Sequence, residues 1–139
     1  MDRESISRIT KIVVIFLGAI CTLAAFATLP SSALTWGYLF ITAFGILVAP
    51  RMSLTLPRSK FAISFSDALV FLTLLLYGGQ AAIVFAVIET AANCLFLKSR
   101  GFPFGKLMIP TNVSLNAIST GITIFIWMQF QLSSFGPLD

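Results

Sequence analysis

Arg51 to Gly79 reads RMSLTLPRSKFAISFSDALVFLTLLLYGG. The stretch holds Arg51, Arg58 and Lys60, then an alternating segment, then Asp67, then a short apolar run. Met52, Leu54, Leu56, Phe61, Ile63 and Phe65 are apolar, and Ser53, Thr55, Lys60, Ser64 and Ser66 fall among them. Period-two alternation is strand-like, not helical. Pro57-Arg58-Ser59-Lys60 interrupts it with turn chemistry, because Pro presets φ and cannot continue a ladder. Folded about that turn, Leu56 faces Phe61, Leu54 faces Ile63 and Met52 faces Phe65. The pattern predicts a small β-hairpin. An irregular amphipathic loop at the membrane interface is the alternative.

A helix should follow. Ser64-Phe65-Ser66-Asp67 is a Ser-x-x-acid capping pattern, and Ser66 is a second N-cap candidate. Ser66 to Tyr77 gives a helix of about 18 Å at 1.5 Å per residue. A hydrocarbon core is about 30 Å thick. Either the helix starts earlier, near Phe61, or the hairpin carries the chain part of the way in as a re-entrant loop. Non-helical backbone at that depth survives only when buried in protein or lining a wet cavity.

The rest of the chain is apolar. Of 139 residues, 58% are apolar and 10% charged, against about 25% charged in soluble domains. This composition predicts a single all-α integral membrane domain with the lipid bilayer as its solvent. Five membrane segments are expected, at about 12–29, 34–48, 61–77, 80–97 and 107–130. The first has a basic start and an Ala-rich end like a signal peptide, but its length favours a retained span. The net charge of +4 does not argue for nucleic acid, since the cations flank apolar runs. The N-terminus, Arg51–Lys60 and Lys98–Lys106 hold every Lys and Arg. By the positive-inside rule the N-terminus is cytoplasmic and the C-terminus outside. Trp127 is placed as an interfacial anchor.

Chemistry-bearing residues are few. There is no histidine, which removes the commonest metal ligand and general base. No phosphate-binding loop or nucleophile elbow is present. Cys21 and Cys94 sit inside apolar segments and read as small apolar residues, not a disulfide. No enzyme, catalytic residue, metal or cofactor is indicated.

Glu89 lies mid-way along the fourth segment, where a charge is expensive. It is either a packing hydrogen-bond donor or a ligand or proton site. Ala82, Ala86, Glu89 and Asn93 share one face. Asn112, Asn116, Ser119 and Thr123 share another. Counting inward from Lys98 and Lys106 puts Glu89 level with Asn116 and Asn93 level with Asn112. The residue numbers of each pair add to one value, as antiparallel neighbours require. Asp67, in the first turn of its helix, reads as a cap.

Leu56-Pro57-Arg58, Ile63-Ser64-Phe65-Ser66-Asp67, Leu74-Leu75-Leu76-Tyr77-Gly78-Gly79 with Ala81-Ala82, Glu89 and Asn112 carry a resemblance. From Arg51 to Trp127 the chain resembles the multi-span N-terminal membrane region of bacterial cyclic-di-GMP signalling proteins, which continue into diguanylate cyclase or phosphodiesterase domains. The resemblance implies a sensory or anchoring input module in the bacterial cytoplasmic (inner) membrane. No output domain follows here, and the further spans expected of that family are missing. A fragment or a short relative with another job is implied. A small-solute-binding or transport subunit, similar to the binding components of vitamin importers, is a second reading. A structural accessory subunit of a larger complex is a third. A homo-oligomer is compatible with all of them.

Overall fold

The structure, a computed structural model, describes residues 3–48, 51, 54–55, 62–63 and 65–134. Within them the fold is a bundle of five α-helices: α1 (Arg3–Ala27), α2 (Trp36–Leu47), α3 (Phe65–Tyr77), α4 (Gly79–Ser99) and α5 (Met108–Ser134). A 3₁₀ turn, Ser31–Ala33, joins α1 to α2.

Among the described residues three helices are long and apolar enough to cross a membrane: Glu4–Ala27, Gly79–Ser99 and Met108–Phe130. The expected five spans are corrected to these three. α2 has 12 residues and α3 has 13. At 1.5 Å per residue they reach about 18 and 20 Å, short of a hydrocarbon core of about 30 Å.

The local reasons for the helix ends are visible. Thr35 caps α2, accepting from the Tyr38 N–H at 3.3 Å, and its extended backbone (φ −87°, ψ 164°) suits an N-cap. α3 stops at Gly78, whose φ of +88° is left-handed backbone that Gly adopts at little cost. Pro110 sits in the first turn of α5, where a missing N–H costs nothing.

The α2–α3 connection corrects a second expectation. Leu54–Thr55 and Ala62–Ile63 run antiparallel, Leu54 opposite Ile63 and Thr55 opposite Ala62. This two-residue pairing is too short to make a β layer, and the architecture is helical. Met52, Leu56 and Phe61 of the expected hairpin lie outside the described residues. Phe65 already belongs to α3, so Ser66 is inside the helix and not its N-cap.

α4 is the central helix and packs against each of the other four. Ala81 to Ala86 are all buried in succession, the pattern of a helix enclosed on every side. α5 lies antiparallel beside it, with α1 on the far side. α1 meets α5 through small residues in register: Gly18 against Ser114, and Cys21 against Ala117. α2 and α3 flank one half of α4. The Tyr38 hydroxyl donates to the Ala81 carbonyl at 3.2 Å, and the Tyr38 and Tyr77 rings meet edge to face at 5.5 Å.

The cations gather at one end. Arg51 and Arg100 both lie over the Phe96 ring, at 5.7 and 5.0 Å. Arg8 and Lys11 share a surface recess with Leu107, just before α5. The opposite end carries the Ser31–Ala33 turn and the Gly78 turn. Phe16, Leu23, Phe40, Leu75 and Phe125 face outward, as a surface bathed in lipid tails allows.

Candidate functional site

Glu89 is the central residue of α4. It is 3% exposed. The hydroxyls of Ser66 and Thr90 hydrogen-bond its carboxyl group, and Asp67 is near enough to interact with its charge. α2 passes close by: a Cβ added at Gly45 would lie 3.8 Å from Glu89 Cγ. The start of α3 and the last turns of α2 therefore meet α4 at its mid-height. Two half-length helices break at the level of the buried acid.

The expected Glu89–Asn116 and Asn93–Asn112 pairs are each displaced by one residue. Asn116 Nδ2 donates to Thr90 Oγ1 and, at 3.4 Å, to the Ala86 carbonyl. Asn112 Nδ2 points to Cys94 Sγ at 4.0 Å. The numbers of each pair again add to one value, one higher than expected. The antiparallel depth is as counted, but α4 is turned by one residue, or about 100°. That turn aims Glu89 at α3 and α2, and it aims Thr90 and Cys94 at α5. Glu89 reaches Asn116 only through Thr90. Asn93 lies on a surface recess with Leu97, Phe104 and Asn112.

α3 and α5 do not close on one another. A groove of about 200 Å³ separates them, with Asp67, Val70, Phe71 and Leu74 on one wall. Asn116, Ser119, Thr120, Thr123 and Ile124 form the other. Leu74 and Ile124 also line a second recess that runs on to Gly78, Gln80 and Trp127. The two recesses lie one after the other along the α3–α5 seam. Phe71 and Trp127 meet edge to face across it, at 6.4 Å between ring centres. Asp67 thus stands in the first turn of α3 and also in a groove wall opposite Asn116.

Several site residues were not among the sequence candidates. Thr120 is 8% exposed and lines the groove. Thr90 links Glu89 to Asn116. Thr73 is fully buried and returns its hydroxyl to the Leu69 carbonyl at 2.8 Å. Spacing of four from Asn112 through Asn116 leads to Thr120; following the stripe through Ser119 steps past it. Among the described residues no cluster of His, Cys, Asp or Glu could hold a metal ion.

The class is therefore a helical bundle with three helices long and apolar enough to cross a membrane and two half-length ones, with a polar groove between α3 and α5. No protein-family model matches the chain, and comparison with curated proteins and with solved structures finds no match.

Proposed function

We propose that the chain is a membrane-embedded sensory input module that reads a small solute in the groove between α3 and α5. The observation that carries this reading is the break of α2 and α3 at the height of Glu89, beside a groove lined by Asp67, Asn116 and Thr120. Irregular backbone and half-helix ends at mid-depth are costly unless they line a cavity. Discontinuous helices of this kind form solute sites in membrane proteins. Carboxylate, amide and hydroxyl groups suit recognition, not bond-breaking, and a binding role is inferred over a catalytic one. The resemblance to cyclic-di-GMP signalling proteins fits an input module in the bacterial cytoplasmic membrane. The second recess, at the uncharged end, also favours the second reading, a subunit that binds a solute for transport.

The test is a solute screen on the chain in lipid nanodiscs. At least one solute class should raise the melting temperature saturably, and Asn116→Leu should abolish the rise. Uptake of that solute into proteoliposomes would move the assignment to transport. No stabilising solute, together with stable copurification in a large complex, would replace both by an accessory role.

Orientation is part of the proposal. Clustering of Arg8, Lys11, Arg51 and Arg100 at one end supports a cytoplasmic N-terminus. In sealed cells a membrane-impermeant thiol reagent should label Ser31→Cys and spare Arg100→Cys. Labelling of Arg100→Cys alone would invert the assignment.

A further inference from the structure

We propose that the α3–α5 groove selects protonated amines: small organic cations with an apolar body, entering from the end without cations. This inference rests on the ligand-binding reading above and names its ligand class.

The polar groups that the groove presents are mostly acceptors, and the Ser119 and Thr120 hydroxyls can both accept and donate. Asp67 contributes a carboxylate, and among the described lining residues there is no Lys or Arg. Asn116 directs its amide nitrogen to Thr90 and Ala86 on α4, so its carbonyl oxygen is what remains to meet a ligand. Thr123 donates its hydroxyl hydrogen to the Ser119 carbonyl at 2.9 Å and offers the groove only lone pairs. Thr120, a residue more than nine-tenths buried, adds a further hydroxyl to the lining. A ligand that satisfies this set must donate several hydrogen bonds and carry positive charge. An ammonium group has three donors and no acceptor. A carboxylate or phosphate would meet a like charge and find few donors.

The remaining walls set the rest of the ligand. Val70, Phe71, Leu74 and Ile124 are apolar and continue from the polar end toward Trp127. They fit a short alkyl or aryl body beside the ammonium. The volume of about 200 Å³ is below the ~300–1,000 Å³ of sites for drug-sized ligands. It limits the ligand to a small amine. A bare alkali cation would leave the apolar walls unused.

The experiment uses Thr123→Cys in the full chain in nanodiscs, with Cys21 and Cys94 replaced by Ser. Three methanethiosulfonates probe it: cationic aminoethyl, neutral methyl and anionic sulfonatoethyl. The cationic reagent should react about tenfold faster than the anionic one, as focusing by the Asp67 carboxylate predicts. β-Phenylethylamine should protect the thiol, and its neutral isostere 2-phenylethanol should not. Asp67→Asn, checked for an unchanged melting temperature, should abolish the rate preference and the protection. If that variant does not fold, the reagent ratio and the amine–alcohol contrast decide on their own. Equal rates for the three reagents, with the alcohol protecting as well as the amine, would leave a solute groove but end the amine assignment. No reaction with any reagent would mean a groove closed to water, and the ligand-binding reading would fall with it.

Discussion

Gly18→Ala tests the packing of α1 on α5. A methyl at position 18 would collide with Ser114 Cβ and lie 2.5 Å from Ser114 Cα. Ordinary van der Waals separations are 3.4–4 Å. Rotating the serine side chain relieves neither clash, because Cα and Cβ do not move with χ1. The helices must part by roughly 1 Å or more, and overpacking of this kind costs ~1–3 kcal/mol. Parting also stretches two hydrogen bonds that are already long: Cys21 Sγ to the Ala117 carbonyl at 3.6 Å and Ser114 Oγ to the Ile15 carbonyl at 3.5 Å. Interhelical hydrogen bonds in membranes average ~0.6 kcal/mol each, so the loss should come to about 3 kcal/mol. The assay is a disulfide trap. A Cβ at position 121 would sit 3.2 Å from Cys21 Sγ, so Gly121→Cys, with Cys94→Ser, should cross-link to Cys21 under mild oxidant. Gly18→Ala in that background should slow the cross-link and lower the unfolding midpoint in nanodiscs. Ser114→Gly should rescue only part of the loss, because it removes the side chain and leaves the backbone of residue 114 in the way. An unchanged cross-linking rate and an unchanged midpoint in Gly18→Ala would refute the close crossing.

Glu89→Gln should fold as the wild type does, since an amide still reaches Ser66 and Thr90. Glu89→Leu should lose ~1–3 kcal/mol in chemical denaturation, because it withdraws a buried hydrogen-bonding partner from both hydroxyls. Asn116→Leu should cost up to ~1.7 kcal/mol through its two bonds to α4, whereas Asn93→Leu should be near neutral in the same assay. Gly78→Ala should lower the melting temperature through a residue forced to a φ of +88°, at about 1 kcal/mol.

Much of the helical layout was legible in the residues. Long apolar runs flanked by cations mark α1, α4 and α5, because hydrocarbon accepts little else. Gly78 and the Pro110 end of α5 bound their helices for local backbone reasons. The excess of five spans over three has a physical origin. Trp36–Leu47 and Phe65–Tyr77 are as apolar as true spans, and composition does not distinguish a half-length helix packed on protein from one that crosses. Tyr38 on Ala81 and Ser66 on Glu89 show what makes half-lengths tolerable here: partners on α4 meet both short helices near their ends. The pairing of α1 with α5 through Gly18, Cys21, Ser114 and Ala117 joins distant segments, and nothing local announces it.

The one-residue displacement at Glu89 shows which part of a membrane site can be read from sequence. Depth is a count of residues from the nearest cation, and the count placed Asn116 and Asn112 within one residue of their partners. Azimuth needs a stripe. The first half of α4 has none, since Ala81 to Ala86 are buried in succession. With no exposed side along that half to fix its rotation, a shift of about 100° is hard to read from the pattern. That rotation decides the chemistry. Turned toward α5, Glu89 would be a packing acid paired with Asn116. Turned toward α3, it stands at the break between two half-helices, within reach of Ser66 and close to Asp67. Asn116 is then held by Thr90 and Ala86, and its carbonyl oxygen is left for the groove. The same rotation that defeats the expected pair leaves the Asn116 carbonyl oxygen to the groove, and the proposed amine ligand depends on that acceptor.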